Sequence, residues 1–125
     1  MILLTFSVSA QKKEKSHYEK ALAKIEAENY EGALADLDRS IESDSLNHAA
    51  FYKRGFVKAM QLDHSGALAD FDKAIRLNPG EAQYHSERGI AKLNLENKEG
   101  ACEDWKKAAS MGFIPAKELA DEYCD

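Results

Sequence analysis

Between residues 48 and 77, apolar positions recur with the period of an α-helix, interrupted once. Phe51, Gly55, Val57, Ala59 and Leu62 fall on one pattern, and Ala67, Leu68, Phe71, Ala74 and Ile75 on a second. In each, spacings of three and four residues gather the side chains on one helix face, with polar residues between them. Asp63 stands between the two patterns, where its side-chain oxygen can accept an orphan amide at the start of the second helix. The stretch "LNPG" at 77–80 ends the second pattern, because Pro79 cannot continue a helix. Two helices joined by a short turn are predicted.

The same pattern is written three times. "GALADLDRSI" at 32–41, "GALADFDKAI" at 66–75 and "GACEDWKKAA" at 100–109 stand in register at a period of 34 residues. Gly32, Gly66 and Gly100 keep step with Ala33, Ala67 and Ala101, with Leu37, Phe71 and Trp105, and with the turn residues Asn29, Asp63 and Asn97. A second small set, Ala21, Gly55 and Gly89, precedes the alanines by 12 residues. The units run over about 14–47, 48–81 and 82–115. Each reads as a helical hairpin whose small residues mark a close crossing. One such hairpin cannot bury its apolar faces alone, whereas stacking three of them does. In the tail "MGFIPAKELADEYCD", Pro115 suits a first helical turn, and Ala116, Leu119, Ala120 and Tyr123 make an apolar stripe. A single capping helix over about 115–124 is predicted, covering the open end of the stack.

With small residues at positions 8 and 20 of the unit, an aromatic at 24, Ala at 27 and Pro at 32, the period resembles the tetratricopeptide repeat. The second unit fits best, with Gly55, Ala67, Phe71, Ala74 and Pro79; the third keeps Gly89, Ala101, Trp105 and Ala108. The first departs, having Ala21, Ser40 and Ser45 where Gly, Ala and Pro are usual, and the aromatic of position 4 is Phe51 in one unit but His17 and His85 in the others. The resemblance covers about residues 14–125 and implies an all-α fold: a right-handed superhelical stack of three helix–turn–helix repeats with a C-terminal capping helix. The stretch from Gly100 to Cys124 also looks like the ending of short secreted repeat proteins of Bacteroidetes-type bacteria.

Composition narrows the function. With 44% hydrophobic and 31% charged residues, the chain of 125 residues has the balance of one folded domain and not of a disordered segment. A net charge of −5, with no basic run carrying interleaved aromatics, argues against a nucleic-acid partner, and no apolar stretch is long enough to span a bilayer. "MILLTFSVSA" at 1–10 is uncharged and apolar, with Val8 and Ala10 placed like the small residues before a signal-peptide cut ahead of Gln11. No Lys or Arg precedes this short run, so it resembles the end of a secretory signal whose beginning is missing; the alternative is an apolar tail. A periplasmic or secreted location is the expectation, with a cytoplasmic one as the alternative.

No catalytic constellation, phosphate loop or cofactor motif is present, and neither a cofactor nor a metal is expected. His17, His48, His64 and His85 lack ligand spacing with the two cysteines and read as packing or capping residues. The expected function is a non-catalytic interaction module. The resemblance implies a concave groove lined by the first helices, where positions 5, 9 and 13 share a face: Tyr18, Leu22 and Glu26; Tyr52, Phe56 and Met60; Ser86, Ile90 and Asn94. Its unusually apolar middle row would suit a peptide or protein partner. The alternatives are that this row packs between repeats, or that it serves a structural subunit associating with itself. Some members of the family hold a C-terminal carboxylate in a clamp of Lys, Asn and Arg. The matching positions here are Tyr18, Leu22, Lys53, Gln83 and Glu87, of which only Lys53 is basic, so the resemblance does not extend to that clamp.

Two further expectations concern cross-links. Asp36 and Asp70 sit at position 23, and Arg54 and Arg88 at position 7. Since the second helix of a repeat packs on the first helix of the next, Asp36–Arg54 and Asp70–Arg88 ion pairs across the junctions are predicted. Cys102 and Cys124 each lie 11 residues from Phe113, roughly 16 Å along a helix at 1.5 Å per residue. Folded back antiparallel, their sulfurs meet, and in an exported chain a disulfide is expected.

Overall fold

The structure, a computed structural model, describes residues 15–125; the signal-like segment 1–10 lies outside the described residues. Seven helices and no strand occur among the described residues: α1 (His17–Glu26), α2 (Tyr30–Ser43), α3 (His48–Met60), α4 (His64–Leu77), α5 (Ala82–Asn94), α6 (Lys98–Ser110) and α7 (Ile114–Tyr123). They pair as hairpins α1–α2, α3–α4 and α5–α6. Successive hairpins join through α2 on α3 and α4 on α5, and α7 lies on α6.

One device makes every turn within a hairpin. Residues 28, 62 and 96 are left-handed, at φ of 59°, 64° and 65°, and the two amides that follow each helix fold back on its last carbonyls. In the second hairpin Leu62 N–H donates to Ala59 O at 2.9 Å, and Asp63 N–H to Lys58 O at 2.9 Å. Asp63 then caps the next helix, its Oδ1 accepting from Gly66 N–H at 2.9 Å; Asn29 and Asn97 do the same for Gly32 and Gly100, at 3.1 and 2.9 Å. Leu62 therefore leaves the apolar face on which its spacing placed it. It lies past the end of α3 and is 77% exposed.

The core is a row of aromatic or branched residues, each against a small one. Leu37, Phe71 and Trp105 are at most 1% exposed. A Cβ on Gly55 would stand 2.8 Å from the Phe71 ring, and one on Gly89 2.7 Å from the Trp105 indole nitrogen. In the first hairpin, where the large residue is Leu37, the partner can be Ala21, buried in the same cluster. Ala116 of α7 closes the row against Trp105 and Ala108. The sulfurs of Cys102 on α6 and Cys124 just past α7 are bonded at 2.06 Å, with the Cα atoms 5.8 Å apart.

The ion pairs differ from those expected. Arg54 grips Asp70 of its own hairpin, with Nε to Oδ2 at 2.9 Å and Nη2 to Oδ1 at 2.8 Å, and Arg88 grips Asp104 in the same way at 2.9 and 2.7 Å. Sixteen residues separate the partners, the distance at which two antiparallel helices of a hairpin come face to face. The remaining Nη1 crosses the junction instead, from Arg54 to Asp38 and from Arg88 to Asp72, each at 3.0 Å. Neither Asp36–Arg54 nor Asp70–Arg88 forms. Asp36 is held by Lys24 at 2.6 Å and by Arg39 at 3.4 Å. Lys58 and Lys92, in step with Lys24, reach Asp70 and Asp104 at 3.0 Å each. The spacing of these three lysines was legible in the chain, and it is the signal that identifies the missing partners.

Candidate interaction face

The first helices of the hairpins line one side of the stack, and α3 also touches α5 directly. By register, positions 5, 9 and 13 of α1, α3 and α5 share that side, but they do not all open to solvent. Tyr52 is 6% exposed. Its ring stacks on Tyr84 with centroids 4.5 Å apart and tilts against Phe71 at 5.8 Å. Ser86 is 3% exposed, and its carbonyl accepts from the Trp105 indole at 3.2 Å. Tyr52 and Ser86 are thus core residues of the stack, where each first helix leans on its neighbours; of that row only Tyr18 is half-buried.

Positions 9 and 13 make the open face. Leu22 and Phe56 are half-buried, and Met60 and Ile90 are 51% and 36% exposed. Glu26 and Asn94 are exposed at its edge. Large apolar side chains standing in water along one row are what a face awaiting another apolar surface presents.

Position 6 adds a group that the groove register omits. Glu87, on α5, is half-buried, and burial alone pushes its carboxyl above the ordinary carboxylate range. The Tyr52 hydroxyl, raised first by its own burial, is raised further by the nearby Glu87 and Tyr84. Lys53, at the equivalent position of α3, places its ammonium 5.6 Å from the centroid of the Tyr52 ring. In the sequence Glu87 stands out only as a mismatch to the carboxylate clamp. Its burial depends on how α5 leans on α3, which no spacing within one helix reports.

The junction beside this face is fixed by a polar chain. His48 Nδ1 lies 2.7 Å from the Tyr84 hydroxyl, and Asn78 Nδ2 lies 3.4 Å from His48 Nε2. Asn78 Oδ1 accepts from Gly80 N–H at 3.3 Å, which turns the amide NH₂ toward the ring. A neutral His48 with its proton on Nδ1 satisfies all three groups. Burial, with smaller contributions from Glu81 and Tyr18, leaves the Tyr84 hydroxyl pushed up to about 12. Among the described residues no cluster of His, Cys, Asp or Glu is arranged to hold a metal ion, and no helix is long and apolar enough to cross a membrane.

Neither a protein-family model nor a curated protein matches the chain. Solved structures do match it. The first tetratricopeptide domain of Spaghetti (RPAP3), bound to the HSP90 peptide SRMEEVD, superposes with a TM-score of 0.82 at 19% identity, over 86% of each chain. The fold is that of the tetratricopeptide repeat. The second such domain of human RPAP3, in complex with the HSP70 peptide SGPTIEEVD, gives 0.81 at 20% identity, over 86% of this chain and 92% of that one. MamA gives 0.74 at 25% identity over 81% of this chain, which spans only 59% of the MamA chain. The all-α stack of tetratricopeptide hairpins with its capping helix agrees with the architecture expected from the repeat.

Proposed function

We propose that the chain is a non-catalytic protein-interaction module whose α1–α3–α5 face receives a peptide or a segment of a partner protein. The observation that carries this reading is the exposure of Met60 and Ile90, 51% and 36%, beside half-buried Leu22 and Phe56 on one face. Two structural neighbours hold a bound peptide, which supports use of this fold for peptide recognition. We further propose that the module acts in the periplasm or outside the cell. The Cys102–Cys124 bond suits an oxidising compartment, and the signal-like segment and the likeness to short secreted Bacteroidetes-type proteins point the same way. Met60→Asp and Ile90→Asp should each abolish capture of a partner from the native envelope fraction, with helicity and Tm unchanged. Capture that survives both substitutions places the partner on another surface. The same exposed row would serve self-association, and a mass in solution that rises with concentration and returns to monomer in Met60→Asp would favour that role.

A further inference from the structure

Resting on the proposed use of the α1–α3–α5 face, one carboxylate specifies the chemistry of what binds there. Among the described residues five acidic residues are buried or half-buried overall, Asp36, Asp70, Asp72, Asp104 and Glu87, although the Asp72 side chain is 43% exposed. The four aspartates each have a cation at 3.0 Å or less, from Lys24, Arg54 or Arg88. Among the described residues Glu87 finds neither an ion-pair nor a hydrogen-bond partner for its side chain, and every other described glutamate is exposed. Partly withdrawing a carboxylate from water without a partner costs free energy, and Glu87 is half-buried in this way at the edge of the open face. Lys53 is the cation closest in register, yet its ammonium rests against the Tyr52 ring and makes no ion pair. Ile90, three residues on from Glu87 in α5, and Met60 on α3 are exposed apolar side chains of the same face. The net charge of −5 favours approach of a cationic segment.

We propose that the occupant of this face is a peptide segment that sets a lysine or arginine side chain against Glu87, between apolar side chains that cover Phe56, Met60 and Ile90. The recognised charge is then opposite in sign to a terminal carboxylate. Binding supplies Glu87 with the charge-assisted hydrogen bonds it lacks, in a site from which the flanking apolar groups exclude water.

The test uses the full chain, immobilised, and short N-acetylated, C-amidated peptides randomised over Leu, Phe, Ala, Ser and Gln. One pool carries Arg at a fixed central position, a second norleucine and a third Glu; a fourth has no charged side chain but a free terminal carboxylate. The Arg pool should be retained about tenfold or more over the norleucine pool, as for a desolvated charge-assisted contact. Glu87→Gln should remove that advantage while keeping retention of the norleucine pool, and Met60→Asp should lower retention of both. Equal retention of the Arg and norleucine pools, both lost in Met60→Asp, overturns the cation seat and leaves the face standing. Preference for the free carboxylate overturns the sign of the recognised charge. If no pool depends on Met60, both the seat and the proposed face are overturned.

Discussion

Asp70 carries three charge-assisted contacts on a side chain that is 5% exposed: two from the Arg54 guanidinium and one from Lys58. Replacing it leaves both cations facing a neutral group in a partly desolvated setting. Asp70→Asn should therefore cost about 3–5 kcal/mol in urea unfolding. Asp38 meets the same guanidinium, but its side chain is 57% exposed, and Asp38→Asn should cost less than about 1 kcal/mol. Equal losses at the two sites would show that burial does not set the value of these pairs. The participants were legible as residues, since Asp36, Asp70 and Asp104 recur with the repeat, but their partners were not. A period shows which side chains are equivalent, and it does not show whether a given face meets its own hairpin or the next. That depends on the turn, where residues 28, 62 and 96 reverse the chain and bring position 7 opposite position 23.

Helix α7 has a neighbour on one side only. Ala116 is fully buried, Leu119 and Ala120 are half-buried, and Tyr123 tilts against Trp105 with centroids 5.7 Å apart. That modest apolar contact is supplemented by the Cys102–Cys124 bond, which closes a loop with a sequence separation of 22 residues. On the chain-entropy account such a loop adds about 3 kcal/mol. In a stack where each unit touches only its neighbours, the loss should stay local. Cys124→Ser should speed amide exchange throughout α7 and at the end of α6, with exchange in α1 and α2 unchanged. Uniform acceleration across all helices would mean that the stack unfolds as a single unit. The helix and the pairing were both readable from the chain, because Pro115 and the symmetric spacing about Phe113 are local signals. The depth of Tyr52 and Ser86 was not. Their row is apolar or small whether it faces a partner or the next hairpin, and only the approach of Tyr84 and Trp105 decides which.

Across the whole molecule two carboxyls work against each other as pH changes, and their difference tests the proposed face. The hydrogen bond from Lys24 holds Asp36 below its ordinary value of 3.8. The folded chain therefore releases that proton more readily than the unfolded chain does, and the stability gained is complete above 3.8 and lost as pH falls through the lowered folded value. Glu87 runs the other way. Burial raises it above its ordinary 4.5, so the folded chain binds the proton more tightly, and stability falls as pH rises from 4.5 through the raised folded value. Measured against wild type, Asp36→Asn should leave Tm unchanged in strong acid, where the wild-type aspartate is also neutral, and lower it at neutral pH. Glu87→Gln should also match wild type in acid but raise Tm at neutral pH, where it removes an uncompensated charge. A cationic peptide that occupies the face should shrink that advantage by stabilising wild type more than the variant. If Glu87→Gln instead lowers Tm at neutral pH, the carboxylate already has a partner within the chain, and the open face has no unmet charge with which to select a cationic segment.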